Sequence, residues 1–218
     1  PGTTHNYYSG WAHNASLPME LYLSDDGTSI AMEPIEELHT LRTQTVYASE
    51  TAMTAEEANA AIGQLRGDSF EIRMKLSLSE TAETYSAGLY VRFNPYTNSL
   101  NQTERTGIVF GSNGVYIDRS QTSLYVMGLG NSHVWDNTAG EFDVVVYMDR
   151  SMLEVYVNGT VSFTSRMYPK YEDSDYLRFF AEGCTLTVSD LTIYTLGSAY
   201  SDTVTPAYCG NTGSIQNA

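Results

Sequence analysis

The side chains with chemical potential in this sequence are carboxylates, guanidinium groups and tyrosines. Asp and Glu total 26 against 11 Lys and Arg, and Tyr counts 17. A carboxylate near an arginine can hold a polar ligand through charge-assisted, bidentate hydrogen bonds, and an aromatic ring can lie under the ligand's apolar face. Glu71 and Arg92 offer that pairing from two strands, and Asp118-Arg119-Ser120 and Asp149-Arg150-Ser151 offer it at two corners. The competing use of the corners is to close turns, because Asp and Ser side chains bond backbone N–H groups; that structural role is expected of both. For Glu71 and Arg92 the competing use is a surface ion pair worth under about 1 kcal/mol.

Other chemistries find little here. His5, His13, His39 and His133 are scattered without ligand spacing, and Cys184 and Cys209 lie far apart with no His pair beside them, so no metal and no cofactor are expected. A single disulfide between these cysteines, tying the tail back, is compatible with the sequence. Glu154 sits in an otherwise apolar strand, where a buried acid needs a partner such as Arg119 or Arg166 to offset its lost hydration. A formal charge of -15 repels phosphate backbones and anionic membranes, so neither nucleic acid nor membrane is an expected partner. No run of about 18 apolar residues and no signal-like opening is present, which argues against a membrane protein or an unprocessed precursor. Strong acidity, little lysine and two cysteines point to a secreted or extracellular setting. Asn14, Asn101 and Asn158 begin N-glycosylation triplets, which matter only in a eukaryotic secretory host.

The elements that must position these residues are strands. Leu17 to Leu23, followed by Asp25-Asp26-Gly27-Thr28, reads as a hairpin. Thr54 and Glu57 form a capping box ahead of Ala58, Ile62 and Leu65 on one helical face, with Gly67 as the stop. From Ser69 the period becomes two: Phe70, Ile72, Met74, Leu76 and Leu78 point inward, and Glu71, Arg73 and Lys75 outward. Similar strands are expected at 88–94, 107–110, 115–118, 124–127, 141–149, 153–157, 161–166, 177–181 and 186–196. Asn158-Gly159 between two apolar runs is a strong hairpin signal, because a type I′ turn needs positive φ at both central residues. The fold expected is all-β: a two-sheet antiparallel sandwich of jelly-roll, concanavalin-like form with one short helix.

One stretch carries a specific likeness. Phe142-Asp143-Val144-Val145-Val146-Tyr147-Met148-Asp149-Arg150-Ser151-Met152-Leu153-Glu154-Val155-Tyr156-Val157-Asn158-Gly159, followed by Phe163 to Pro169, resembles the C-terminal β-sandwich of glycoside hydrolase family 32, the invertases, levanases and inulinases. Leu17-Pro18-Met19-Glu20-Leu21, Pro34-Ile35-Glu36-Glu37-Leu38-His39-Thr40-Leu41-Arg42 and Ile117 to Ser123 support it, with Met19 standing where the family usually has Arg. The resemblance implies that residues 1–45 connect from a catalytic propeller, 46–200 form the sandwich and 201–218 are a tail. It also implies a cut inside a parent enzyme. The family's Asn-Asp-Pro, Arg-Asp-Pro and Glu-Cys catalytic motifs are absent: the two Asp-Arg pairs reverse the order, and Gly183 interrupts Glu182 and Cys184. No catalytic residue is therefore assigned, and whether the chain forms part of an enzyme is left to its parentage.

Sandwiches of this lineage are also similar to carbohydrate-binding module family 66. That likeness implies a fructan or other fructose-containing carbohydrate as partner, with Glu71, Arg92, Asp149, Trp135 and Tyr90 as substrate-binding candidates, alongside the catalytic propeller as a second partner. Trp135 lies in the polar loop Asn131 to Asp136 and is either a sugar platform or a loop anchor. The alternative function is a structural sandwich that braces the propeller or an oligomer interface without binding sugar.

Overall fold

In the computed structural model, the described residues are 15–24, 27–97, 102–122, 132–134 and 140–199. Alternation in the segment after Ser69 produces the central strand of a seven-stranded antiparallel sheet. In this strand, β5 (Ser69–Ser79), Phe70, Ile72, Met74, Leu76 and Leu78 are all buried. To one side run β10 (Glu141–Asp149), β11 (Met152–Val157) and β12 (Val161–Arg166); to the other, β14 (Thr185–Leu196) and β3 (Arg42–Ser49), with β4 (Met53–Thr54) pairing β14. Facing it is a five-stranded sheet in the order β13 (Tyr176–Glu182), β6 (Ser86–Phe93), β7 (Thr106–Gly111), β8 (Gly114–Asp118) and β9 (Ser132–His133).

The inner faces share one core. Ile72, Val144, Val146, Val155 and Ile193 come from the larger sheet; Leu89, Val91, Ile108, Ile117 and Phe179 come from the smaller. Phe110 and Phe142 meet between the sheets with ring centroids 4.7 Å apart. This burial is the main source of stability for such a sandwich. The expected architecture is therefore present.

The one α-helix among the described residues, α1 (Ala55–Ile62), starts at the anticipated capping box: Thr54 Oγ1 accepts the Glu57 N–H, and the Glu57 carboxylate accepts the Thr54 N–H. Ala58 and Ile62 enter the core, while the Asn59 side chain imitates a neighbouring strand, donating to Phe179 O at 2.8 Å and accepting its N–H at 2.7 Å. The helix is shorter than the sequence pattern suggests. It stops at Ile62, and Gly67 serves packing instead: an added Cβ there would lie 2.7 Å from the Phe70 ring.

Turn chemistry follows the sequence. Asn158 and Gly159 adopt φ of 52° and 61°, and the Thr160 N–H closes onto Val157 O. The expected first hairpin forms from β1 (Met19–Leu23) and β2 (Ile30–Pro34), and an unanticipated 3-10 helix follows at Glu36–Leu41. This hairpin and helix lie against the outer face of the larger sheet. There Leu38 joins Tyr147 and Tyr156 in a second buried cluster, with Leu17, Met19, Ile35 and Leu41 around it. The Met32 N–H donates to Gly159 O at 2.6 Å, fastening the hairpin to the β11–β12 turn. β3 begins at Arg42, so the sheet is entered before residue 45. The strand expected at 124–127 lies outside the described residues, and among them no helix is long and apolar enough to cross a membrane.

Candidate functional site: a polar groove under the first hairpin

Alternation places Glu71, Arg73 and Lys75 on the outer face of β5, where a solvated face would be expected. The crossing segment changes that environment. Glu71 is completely buried, held by Arg42 through Nε–H···Oε2 and Nη2–H···Oε1 bonds of 2.6 Å each and by Arg73 Nε at 2.7 Å. Burial pushes the Glu71 carboxyl up, but the bonds and charges of the two arginines outweigh it and hold it below the usual carboxylate range. Arg42 also stacks over the Tyr194 ring at 4.2 Å. Arg73 reaches on to His39, whose Nε2 accepts from Nη2 at 3.1 Å.

Beside this network the hairpin and the sheet enclose an open groove of about 680 Å³. Its walls carry Glu20, Glu33 and Glu36 from the crossing segment and Asp143 and Asp190 from the sheet, with Arg73, Lys75 and His39 among them. Tyr22 supplies aromatic surface, with Tyr156 buried in the lining, and Asn158 stands at the turn. Lys75 is gripped by Asp190 at 2.9 Å, which raises its pKa, with Asp143 and Glu141 adding to the effect. Acceptors, cationic donors and ring faces around an open, predominantly acidic groove suit a neutral, hydroxyl-rich ligand.

The residues anticipated from sequence fall apart spatially. Glu71 and Arg92 belong to different sheets and do not pair. Arg92 has a φ of 48°, and its guanidinium, largely buried, reaches Asp68 at 3.6 Å; burial lowers its pKa, partly offset by Asp68. Asp149 lies nearer Arg92's end of the sandwich, because its β5 partner Ser69 adjoins Asp68 and donates to Asp149 Oδ1 at 3.4 Å. Tyr90 is half-buried on the outer face of the smaller sheet, stacked 4.0 Å from Phe180 with Arg105 4.5 Å from its centroid, on the opposite sheet from Glu71. Trp135 lies outside the described residues, as do Cys209, Asn14 and Asn101.

Glu154 also departs from expectation. No described arginine forms a salt bridge with it; its carboxylate accepts the Leu17 N–H at 3.2 Å and the Thr164 hydroxyl at 3.1 Å. Burial raises its pKa, and those two bonds pull the other way. It therefore anchors the crossing segment. The turn-closing role expected of Asp118 is seen directly, its Oδ1 accepting the Ser120 N–H at 2.8 Å.

Arg73, Lys75, His39 and Asp143 were missed as site residues. The available signal was the run Glu71-Arg73-Lys75 with Asp143 opposite Lys75 in register, but only the crossing segment turns that charged face into a groove.

A two-sheet antiparallel β-sandwich with a polar surface groove defines the class of this molecule. Residues 37–195 match the family described as glycosyl hydrolases family 32 C terminal, and the chain belongs to that family. It is 25% identical over 204 residues to a levanase of Bacillus subtilis, covering 89% of this chain and 29% of the levanase. It is 22% identical over 202 residues to a fructan beta-fructosidase of Streptococcus mutans, covering 87% of this chain and 13% of that enzyme. The fold is similar to fructan 1-exohydrolase IIa of Cichorium intybus, with a TM-score of 0.65 at 16% identity over 91% of this chain and 44% of that one. It also resembles the sucrose-6-phosphate hydrolase of Lactobacillus gasseri, with a TM-score of 0.60 at 16% identity over 90% of this chain and 36% of that one. The chain thus spans less than a third of the two sequence relatives' length.

Proposed function

We propose that this chain is the noncatalytic sandwich of a fructan-active, secreted enzyme, and that its groove holds fructose units of levan or inulin. The observation that carries the reading is the groove of about 680 Å³, where Arg73, Lys75 and Asp143 stand around aromatic surface. Vicinal hydroxyls can donate to carboxylates while accepting from guanidinium and ammonium groups, and a furanose ring presents its apolar side to tyrosine. A second grip on the polymer raises the local concentration of substrate for a linked active site. Affinity electrophoresis of the 218-residue chain in levan and inulin gels tests this: retardation is expected, and Asp143→Ala should lower apparent affinity at least fivefold with an unchanged melting temperature. Equal mobility with and without both polymers overturns the reading.

A second reading rests on the hairpin's outward face. Leu21, Leu23 and Ile30 are 64%, 66% and 62% exposed, and the pairing of Leu23 with Ile30 places these apolar side chains on one side. A two-stranded ribbon with one bare apolar face favours cover by another part of a longer enzyme, such as the propeller implied by the family resemblance. Changing all three residues to Ser should at least halve binding of a hydrophobic dye at unchanged melting temperature; undiminished dye binding would remove this support.

A further inference from the structure

The outer face of the smaller sheet is built differently from the groove. Positions pointing away from the core are Ser86, Gly88 and Tyr90 on β6, Gly107, Val109 and Gly111 on β7, and Gly114, Tyr116 and Asp118 on β8. Gly88 and Gly114 have φ of 148° and 113°, so backbone conformation favours glycine there. Gly107 and Gly111 do not have positive φ; their distinguishing feature is the missing side chain. Glycine inside a strand loses stability and marks places where something approaches the backbone closely. At Gly107 those neighbours are identified: an added Cβ would lie 3.1 Å from Val109 Cγ2 and 3.4 Å from the Tyr90 ring and Asp118 Cβ.

At Gly111 the neighbour is the Tyr85 carbonyl, 3.0 Å from where a Cβ would stand, and beside this glycine lies an open surface pocket of about 280 Å³ bounded by Thr84, Tyr85, Ser112, Asn113, Tyr116 and Glu182. It forms where β6 starts, β7 turns into β8 and β13 ends. The side chains of Ser112, Asn113, Tyr116 and Glu182 make no hydrogen bond to another described residue. The cavity thus gathers a hydroxyl, an amide, a phenol and a carboxylate, together with ring surface, in a space below the usual range for drug-sized pockets. The adjacent carboxylate and the net charge of -15 disfavour anions.

We propose that this cavity is a second sugar site, on the opposite sheet from the groove, which takes one neutral hexose unit at a chain end or branch. Tyr116 supplies the ring surface, Glu182 accepts from a pair of hydroxyls, and Asn113 and Ser112 donate and accept at the rim. The choice of fructose as its hexose rests on the function proposed above; the site itself does not. Two grips on opposite faces let one module bridge neighbouring chains of a polymer or hold one chain at two points.

Amide chemical-shift titration of the 218-residue chain with fructose and, separately, methyl glucoside tests the site. Shifts at Gly111, Asn113 and Gly183 with either sugar are expected, and Tyr116→Ala and Glu182→Gln should each weaken binding at least tenfold while Asp143→Ala leaves it unchanged. Asn113→Ala, in an exposed turn, provides the same loss if the tyrosine variant fails to fold. Absence of shifts around the cavity with both sugars overturns the site, whatever happens at the groove. Retardation by levan that Asp143→Ala weakens and Glu182→Gln spares, together with that absence, leaves the groove reading intact and removes this one. Shifts at the cavity without retardation by either levan or inulin support the site and remove the fructan reading.

Discussion

The two sheets share a core and differ on their outer faces. The larger sheet carries Glu71, Arg73, Lys75 and Glu154 outward, and the segment from Leu17 to Leu41 lies over part of them. The smaller sheet carries glycines and tyrosines outward, with no helix or hairpin across them among the described residues. Glu71 and Glu154 on the first face are tied into the fold, so altering them should change stability; Tyr116 and Glu182 beside the second make no side-chain hydrogen bond to another described residue, so altering them should change binding instead. Glu71→Ala is the severest way to break this contrast. It leaves Arg42 and Arg73 facing a buried gap, and removal of one partner from a buried ion pair costs about 3–5 kcal/mol. Because Arg42 keeps 21% side-chain exposure and Arg73 38%, a loss near the low end, about 3 kcal/mol in urea unfolding, is expected. Tyr116→Ala should lose under about 1 kcal/mol in the same experiment.

Leu38→Ala attacks the cover rather than what it covers. Leu38 is 9% exposed and packs against Tyr147 and Tyr156 in a cluster smaller than the main core. Truncating a buried leucine costs roughly 2–5 kcal/mol, and a site at the edge of the fold, able to relax, belongs at about 2 kcal/mol. The hairpin should loosen with it, seen as faster amide exchange at Met32, whose N–H is bonded to Gly159. Protection at Met32 as in the parent would show that the hairpin holds without the cluster.

The carboxylates on the covered face also set opposite pH dependences. Glu71 is held below its ordinary range, so its contribution to stability is complete above the unfolded carboxylate pKa and fades as pH falls toward the folded value. Glu154 is held above its ordinary range by burial, so folding favours its protonated form, and its effect becomes unfavourable as pH rises through the folded value. Urea unfolding between pH 3 and 7 should accordingly show a flatter acid limb for Glu71→Gln and a steeper one for Glu154→Gln. Tyr147, beside Glu71, has its phenol pushed up to about 12 by burial and that carboxylate's charge, so it stays neutral throughout.

What the sequence disclosed follows from which forces are local. Period-two runs such as Phe70 to Leu78, the capping box at Thr54 and Glu57 and the turn at Asn158-Gly159 depend on neighbours within a few residues, and each appears in the structure. Alternation also correctly put Glu71 off the core face. It could not identify which sheet would carry Arg92, nor reveal that Arg42, 29 residues before Glu71, would return to clasp it. The groove is harder still to foresee. His39 and Arg73 meet only because the first hairpin crosses the sheet, and no spacing along the chain encodes that crossing. Glu154 shows the same limit, since the partner it needed is a backbone N–H 137 residues away rather than an arginine. The glycines of the smaller sheet were visible in sequence, but their shared face emerged from strand register.

Lys75→Ala is the mildest test and the one that best separates bracing from binding within the groove. Lys75 and Asp190 meet at 2.9 Å, with side chains 58% and 45% exposed. An exposed pair gains modest Coulomb energy, loses side-chain entropy and is screened by salt, so its removal should leave the urea midpoint nearly unchanged. Restoring charge with Lys75→Arg should recover the small difference at low ionic strength. Binding should respond differently, because the ammonium lines the groove and a ligand hydroxyl would replace water beside it. A loss of levan retardation at unchanged urea midpoint would mark the groove as a recognition surface laid over an already stable sheet. A large fall in the urea midpoint would instead join Lys75 to the Glu71 network, and the contrast between a braced face and a free one would begin beyond Lys75 rather than at the groove's edge.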